Sequence, residues 1–386
     1  MNDRGLPEDS LLSHGPVEHS RHSRGGRVAW SDDIGSAVDL PVGLSQVCCA
    51  LGARTGVKAV VLVGGVGTRL RPLTFSTPKQ MLPVAGRPVI ERVVEHLAGH
   101  GVDEVVLSLG YRPDAFLAAY PGGRCGDVKL HYAVESFPLD TAGAIAFAAG
   151  EAGIGDETFV VVNGDVLTDI DLTALIEFHR ERGGEGTIAL TPVDDPSRFG
   201  VVPVDSSGMV EAFIEKPPAA EAPTNMINAG IYVLEPSFLE RVPGGRRVSV
   251  EREVFPLLVE ARTLYALGSD ALWTDMGTPD KYLEANLTWA QRERRLADGG
   301  QAGHPGATIA NSVLHDDVRI EEGAVVRDAV VLEGGYVRAG AVVRRSVLGR
   351  NVVVGLGAVV EGLSVLGDGW VVAAGDVLSG ARLPAA

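Results

Sequence analysis

Hydrophobic positions change their spacing three times along the chain. KAVVLV (58–63) is a continuous apolar run that stops at the glycines of GGVGT (64–68), the pattern of a buried strand feeding a loop. Pro88 to His100 carries Val89, Val93, Val94 and Leu97 at helical spacing, and VVLSL (105–109) reads as a second buried strand. A helix near 113–119, a strand near 128–134 and a helix near 141–150 follow. TFVVVNGD (158–165) again leads from strand to loop, and DLTALIEFHRER (171–182) is an amphipathic helix. This alternation predicts a mostly parallel α/β sheet. The middle differs: TIALTPV, FGVVPVD, MVEAFIEK and NAGIYVL are strands, with SSG (206–208) as a hairpin turn, and helices near 250–261 and 278–294 close the domain.

The last third has a period of six. Val318, Ala324, Val330, Tyr336, Val342, Leu348, Val354, Val360, Leu366, Val372 and Leu378 are all apolar. Six residues match one flat face of a triangular coil, so three repeats make one turn of a parallel β-helix, and no rung buries its inner face alone. The polar, Gly-rich stretch QRERRLADGGQAGHPG (290–305) reads as a linker. Residues 1–57 lack periodicity. His14, His19 and His22 there could form a metal tract, but a solvated flexible extension is the expectation. The predicted organisation is an extension over 1–57, an α/β domain over 58–295 and a β-helix over 306–383.

Composition narrows the function. The 386 residues are 45% hydrophobic and 22% charged, so the chain can build a sizeable core. The net charge of −16 argues against nucleic acid or an anionic membrane as partner. Cys48, Cys49 and Cys125 show no metal-ligand spacing, and adjacent cysteines rarely pair, which predicts a reduced, cytoplasmic protein. No run approaches 18 apolar residues, and Ala37 to Leu51 makes a poor signal peptide because Asp39 interrupts it and no charged segment leads into it.

The chemistry starts at LVGGVGTRLRPLTFSTPKQMLP (62–83). Glycines let a backbone approach a polyphosphate, successive N–H groups can point at its oxygens, Arg69 can bind phosphate bidentately, and Lys79 is a second cation. GxxxxGK[ST] is absent, which excludes a P-loop NTPase, and the third glycine of the dinucleotide fingerprint is missing, which argues against a dehydrogenase. What the segment resembles is the signature of the sugar-1-phosphate nucleotidyltransferases, GGxGTRLxPLT followed by PK. PLDTAGAI (138–145), VVNGDVL (161–167), FGVVPVD (199–205), EKP (215–217), NAGIYV (228–233), VSVEREVFP (248–256) and WTDMGTPDKY (273–282) look like the same family in the same order. Within it the chain is similar to the mannose-1-phosphate guanylyltransferases, which also carry the C-terminal β-helix. The resemblance spans about 58–380. It implies a Rossmann-like nucleotidyltransferase domain with a mostly parallel mixed sheet, followed by a left-handed parallel β-helix.

The implied reaction is attack of a sugar-1-phosphate oxygen on the α-phosphorus of an NTP, with pyrophosphate leaving. Both reactants are anions, so charge neutralisation and in-line positioning carry the catalysis. The resemblance assigns Arg69, Lys79 and Asp165 to catalysis, and Asp165 with Asp275 to Mg²⁺, whose preference for hard oxygen ligands fits a carboxylate pair. It places the nucleotide against Leu62, Gly64, Gly65, Gly67, Thr68, Arg69, Lys79, Glu135, Asp140, Thr141 and Gly164. Gly200, Glu215, Lys216 and Asn228 are assigned to the sugar phosphate, with Lys216 on its phosphate and Glu215 and Asn228 on hydroxyls.

Glu135 stands where thymidylyl and uridylyl relatives usually have Gln. A carboxylate can accept both N1–H and N2–H₂ of guanine, which favours GTP, and the resemblance to the guanylyltransferases implies mannose 1-phosphate as the acceptor. Two departures from the guanylyltransferase pattern bear on substrate. Asp140 replaces the glycine of PLGTAG, and KQ (79–80) replaces KP. A cyclitol phosphate such as valienol 1-phosphate, in an antibiotic pathway, or glucose 1-phosphate with dTTP or UTP, are the alternatives. A regulatory paralogue would be expected to have lost Arg69, Lys79 or an aspartate, and all are present. Acyl transfer, known for other hexapeptide-repeat proteins, is disfavoured because no histidine follows His315. The β-helix is expected to serve homo-oligomer contact or regulation.

Overall fold

The computed structural model describes residues 56–154, 156–297 and 303–385. His14, His19, His22, Cys48 and Cys49 lie outside the described residues. The chain opens with β1 (Lys58–Leu62), the hairpin β2 (Pro83–Val84) and β3 (Arg87–Pro88), and α1 (Val89–Gly99). Then come β4 (Glu104–Leu109), α2 (Pro113–Ala119), β5 (Arg124–Cys125), β6 (Val128–Val134), α3 (Asp140–Ala152), β7 (Phe159–Asn163), β8 (Val166–Thr168) and α4 (Leu172–Arg182). The remainder of this part is β9 (Gly186–Pro192), β10 (Gly200–Val201), β11 (Ile214–Glu215), β12 (Met226–Leu234), α5 (Pro236–Glu240), α6 (Phe255–Glu260), β13 (Leu264–Gly268), β14 (Trp273–Asp275) and α7 (Pro279–Arg292).

The main sheet runs β11-β10-β12-β7-β1-β4-β6-β5, with β9 joining β12 to β13. β1 is parallel to both β4 and β7, whereas β12 is antiparallel to β7 and β9. β1 sits in the middle, so its side chains are needed on both faces. Ala59 and Val61 join one core cluster, Val60 the other, and none of the three is exposed. That two-sided burial is why the run shows no polar alternation. The chain passes from β1 to β4 on one side and later to β7 on the other. Such a switch of direction leaves a crevice at the carboxyl ends of the strands, where α/β folds bind ligands.

Two expected strands contract. FGVVPVD yields only the two residues of β10, and MVEAFIEK only β11, although Val204 and Val210 still bridge across the SSG turn. The helix expected over 250–261 opens as a π-helical turn, Val250–Val254, before α6.

The C-terminal third forms three parallel sheets, the faces of a β-helix. Its register corrects the strict period of six. Val325 pairs with Val342 and Val342 with Val359, seventeen residues per coil, whereas Val359 pairs with Val377, eighteen further on. The side chains that fill the coil are Ile320, Val326, Val331, Val337, Val343, Leu348, Val354, Val360, Leu366 and Val372. Apart from buried Ala324, the six-residue frame meets the coil interior only from Leu348 onward. Upstream it selects outward residues such as Tyr336, which hydrogen-bonds Glu321, because a one-residue slip turns a strand position to the other face. The extra residue of the longer coil falls at Gly362–Leu363, both at positive φ, and Leu363 packs on the α/β core.

One face of the β-helix is continuous with the rest of the molecule. Its outward residues Val313, Val330, Val347 and Val365 belong to the same buried cluster as Leu283 and Trp289 of α7. His315 lies on the first coil with a buried Nε2 that has no hydrogen-bond partner among the described residues. Burial pushes its pKa down to about 4, so it is neutral at pH 7.

Candidate active site

The crevice is built from strand ends. Leu62 ends β1, half-buried, and its carbonyl accepts the Gly164 N–H at 3.0 Å. A Cβ on Gly164 would stand 2.8 Å from that oxygen, so only glycine lets the β7–β8 turn close against β1. After β1 the chain runs exposed through Gly64 and Gly65 to Gly67, at φ +68°, and turns into a short 3₁₀ segment, Thr68–Leu70. Buried Leu70 and Leu73 anchor it, and the Thr74 hydroxyl donates to the Gly67 carbonyl at 2.8 Å. The N–H groups of Gly65, Gly67 and Thr68 have no acceptor among the described residues, which leaves them open to an anion.

Four charges converge beside this loop. β8 pairs with β14, setting Asp275 opposite Val166 and next to Asp165, whose carbonyl accepts the Met276 N–H at 3.1 Å. The Lys79 ammonium donates to the Asp165 carboxylate, and it also lies 3.6 Å from where a Cβ on Gly65 would be. The Arg69 guanidinium lies over bare Gly277, where a Cβ would come within 2.5 Å of it and 3.1 Å of Asp275 Oδ1. Burial raises the Asp275 pKa, and the Asp165 carboxylate raises it further, against the pull of Lys79 and Arg69. Two carboxylates forced together, beside open amides, make a donor set that suits a small hard cation whose other ligands are waters and phosphate oxygens. Among the described residues no group of three or more His, Cys, Asp or Glu forms a closed metal cage.

The raised pKa fixes a sign. Folding favours protonated Asp275, so its contribution to stability is present at low pH and lost as pH rises through the raised value. Asp275→Asn should therefore raise the melting temperature of the metal-free protein at pH 7.5 by roughly 2 °C or more while abolishing turnover. Thermal melts in EDTA test this, and a lower melting temperature in the variant would contradict it.

On the other side of Gly64 lies Glu135. Its Oε1 accepts from Ser108 Oγ at 3.2 Å and its Oε2 from the Leu139 N–H at 2.9 Å. Cβ atoms on Gly64 and Gly110 would stand 3.7 and 3.5 Å from Oε1, so the carboxylate lies directly against both glycines. Asp140 opens α3 at φ +62°, a conformation that favours glycine and is the physical reason a glycine suits this position. Its Oδ1 accepts from the Thr141 N–H. The Thr141 side chain is engaged: its hydroxyl donates to Glu251 and accepts from the Val250 N–H, both at 2.8 Å.

A cleft of about 820 Å³ extends from Arg69 and Asp275 past Lys216. Phe199 and Trp273 meet edge to face at 5.6 Å and form part of its wall. Gly200 sits opposite Glu215, with no room for a side chain because the Phe213 ring would lie 2.5 Å from a Cβ. Lys216, exposed and at φ +52°, pairs with Glu215. Asn228 is committed within β12: its Oδ1 accepts from the Gly230 N–H at 2.8 Å and its Nδ2 donates to Tyr232 Oη at 2.9 Å. Sequence reasoning missed Arg198 and Lys281, which line the cleft, and Glu251, which joins Thr141 to Ser249. Glu251 lay inside VSVEREVFP, but nothing local signals which of its three charged side chains turns inward.

The family model for nucleotidyl transferases matches residues 58–292. The chain belongs to the nucleotidyl transferase family. A second model, the GMPPB C-terminal domain, matches residues 300–384. The mannose-1-phosphate guanylyltransferase of Mycobacterium tuberculosis is 40% identical over 300 residues, covering 73% of this chain and 82% of that protein. The mannose-1-phosphate guanylyltransferase catalytic subunit beta of Drosophila pseudoobscura pseudoobscura is 38% identical over 270 residues, 69% of this chain and 71% of that one. HddC from Yersinia pseudotuberculosis, solved complexed with GMP-PN, superposes with a TM-score of 0.52 at 29% identity, covering 60% of this chain and 99% of that one. This nucleotidyltransferase joins an NTP to a sugar 1-phosphate to give a nucleoside-diphosphate sugar. No helix among the described residues is long and apolar enough to cross a membrane.

Proposed function

We propose that the chain is a Mg²⁺-dependent guanylyltransferase that condenses GTP with mannose 1-phosphate. The observation that carries the reading is the convergence of Asp165, Asp275, Lys79 and Arg69 beside the open amides of the loop after β1. Mg²⁺ held by Asp165 and Asp275 would neutralise the triphosphate. The amides of Gly65, Gly67 and Thr68, with Arg69, hold the β- and γ-phosphates and stabilise the charge that grows on the leaving pyrophosphate. Lys79 faces the α-phosphoryl group. A phosphate oxygen of the acceptor forms the new bond to the α-phosphorus as the bond to the β-phosphate oxygen breaks, with Lys216 holding the acceptor in line.

Glu135 supports guanine as the base. Each carboxylate oxygen holds one internal hydrogen bond, from Ser108 and from the Leu139 N–H, and keeps a further lone pair for the N1–H and N2–H₂ edge. The guanylyltransferase relatives and the GMP-PN complex point the same way. The β-helix is assigned to contact between copies of the chain.

A pyrophosphate-release screen tests the reading by crossing GTP, dTTP, UTP and ATP with the 1-phosphates of mannose, glucose and valienol. GTP with mannose 1-phosphate should turn over fastest. A preference for dTTP or UTP, or for the cyclitol phosphate, would overturn the corresponding half. Glu135→Gln should lower the GTP:dTTP ratio of kcat/KM by about tenfold, one charge-assisted hydrogen bond exchanged for a weaker one. An unchanged ratio would show that Glu135 does not read the base.

A further inference from the structure

The outer side of the phosphate loop is covered by the far end of the chain. Arg382 Nη1 donates to the carbonyl oxygen of Arg69 at 3.2 Å. Asp368 Oδ2 accepts from Ser76 Oγ at 2.7 Å, and Arg350 Nη1 donates to Thr77 Oγ1 at 3.0 Å. The two β-helix groups also hold each other, since Asp368 Oδ1 accepts from the Arg350 N–H at 2.9 Å. Between these grips Gly367 faces Pro72 so closely that a Cβ there would stand 3.0 Å from the proline Cβ. From within the α/β domain, buried Leu70 and Leu73 anchor the stretch from beneath, and Arg112 donates to the carbonyls of Phe75 and Ser76.

The placement matters because of what the loop carries. Arg69 presents its guanidinium to Asp275 on the inner side while Arg382 grips its carbonyl on the outer side. Thr77, gripped by Arg350, lies two residues before Lys79, whose ammonium reaches Asp165. The segment is made of short 3₁₀ turns, Thr68–Leu70, Leu73–Phe75 and Lys79–Met81, which have no sheet ladder to hold them. Its position depends on what it touches.

We propose that the last coils of the β-helix position the triphosphate loop, with Asp368, Arg350 and Arg382 as positioning residues that act through Arg69 and Lys79. This gives the β-helix a role in the chemistry of its own chain, apart from any contact between copies. It rests on the assignment of Arg69 and Lys79 to the triphosphate. A displacement of the loop by a fraction of an ångström moves both cations away from charge that must be met in the transition state.

The test uses the full chain and the nucleotide that turns over fastest in the screen above, so that a failed guanine assignment leaves it intact. Asp368→Ala with Arg382→Ala should raise the nucleotide KM and lower kcat so that kcat/KM falls by about 30-fold, while the sugar-phosphate KM stays within about twofold. Arg382→Lys, which keeps a donor, should recover most of the loss relative to Arg382→Ala. Arg327→Ala, on an exposed outer position of the same β-helix, should leave both KM values unchanged. Thermal melts and direct calorimetric titration of the nucleotide accompany the kinetics. Wild-type nucleotide kinetics and affinity in the folded double variant would overturn the proposal. So would a loss that tracks the melted fraction and falls equally on both substrates, because that marks the contact as docking alone.

Discussion

Asp165→Asn should lower kcat by at least about 10²-fold and raise the Mg²⁺ concentration needed for half-maximal rate. Asp165 meets two demands at once. It pairs with Lys79, and in the proposed reading it would also share the cation with Asp275 while holding that ammonium over the α-phosphoryl group. The amide keeps the shape and removes the charge, so Lys79 loses its ionic partner and the cation loses half of its carboxylate field. The Asp275 pKa gives an internal check. The Asp165 carboxylate is part of what raises it, so the Asp165→Asn variant should titrate Asp275 at lower pH. Metal titrations of steady-state rate, with carboxyl NMR of the apo protein, measure both effects. Near-normal turnover, or an Asp275 titration that does not move, would contradict the pairing.

Arg69→Ala should cost a similar factor in kcat, on the order of 10²-fold or more, with a smaller change in the sugar-phosphate KM. The leaving pyrophosphate gathers negative charge as the α–β bond breaks, and the Arg69 guanidinium lies over Gly277 beside Asp275. A lysine there would restore charge but not the planar fork, so Arg69→Lys should recover only part of the rate. Single-turnover measurements separate chemistry from product release. A variant that loses only affinity, with unchanged kcat, would place Arg69 on the ground state rather than on the departing group.

Much of this site was legible in the sequence because its parts are local. An apolar strand, a glycine turn and the next charged residue sit within a dozen positions, so KAVVLV and GGVGTR together predict both the strand and what its end presents. NGD and WTD likewise end at strand edges, and antiparallel pairing of β8 with β14 makes them neighbours. Gly164 and Gly200 show why glycine is required at two of these places: a carbonyl or a ring already fills the space of a side chain.

What escaped the sequence is non-local. The grip of Asp368 on Ser76 spans 292 residues, and that of Arg382 on Arg69 spans 313, so no window along the chain contains either. Asn228, expected to meet a substrate hydroxyl, also holds its amide on its own strand beside Gly230, at φ +74°, a contact that no local pattern announces. The β-helix shows a subtler limit. An apolar residue every six positions was correct as a pattern, yet seventeen-residue coils moved the true inward set, and Val330, which met the frame, is apolar because it faces the α/β core.

In the proposed site one divalent cation and the triphosphate would meet between Asp165, Asp275 and the loop after β1. Titration of Mn²⁺ into the chain with a non-hydrolysable GTP analogue, followed by electron paramagnetic resonance, tests it most directly. A single tight Mn²⁺ site is expected, one that requires the nucleotide and weakens by more than about tenfold in Asp165→Asn and in Asp275→Asn. Equal Mn²⁺ affinity in both variants, or tight binding that ignores the nucleotide, would contradict it.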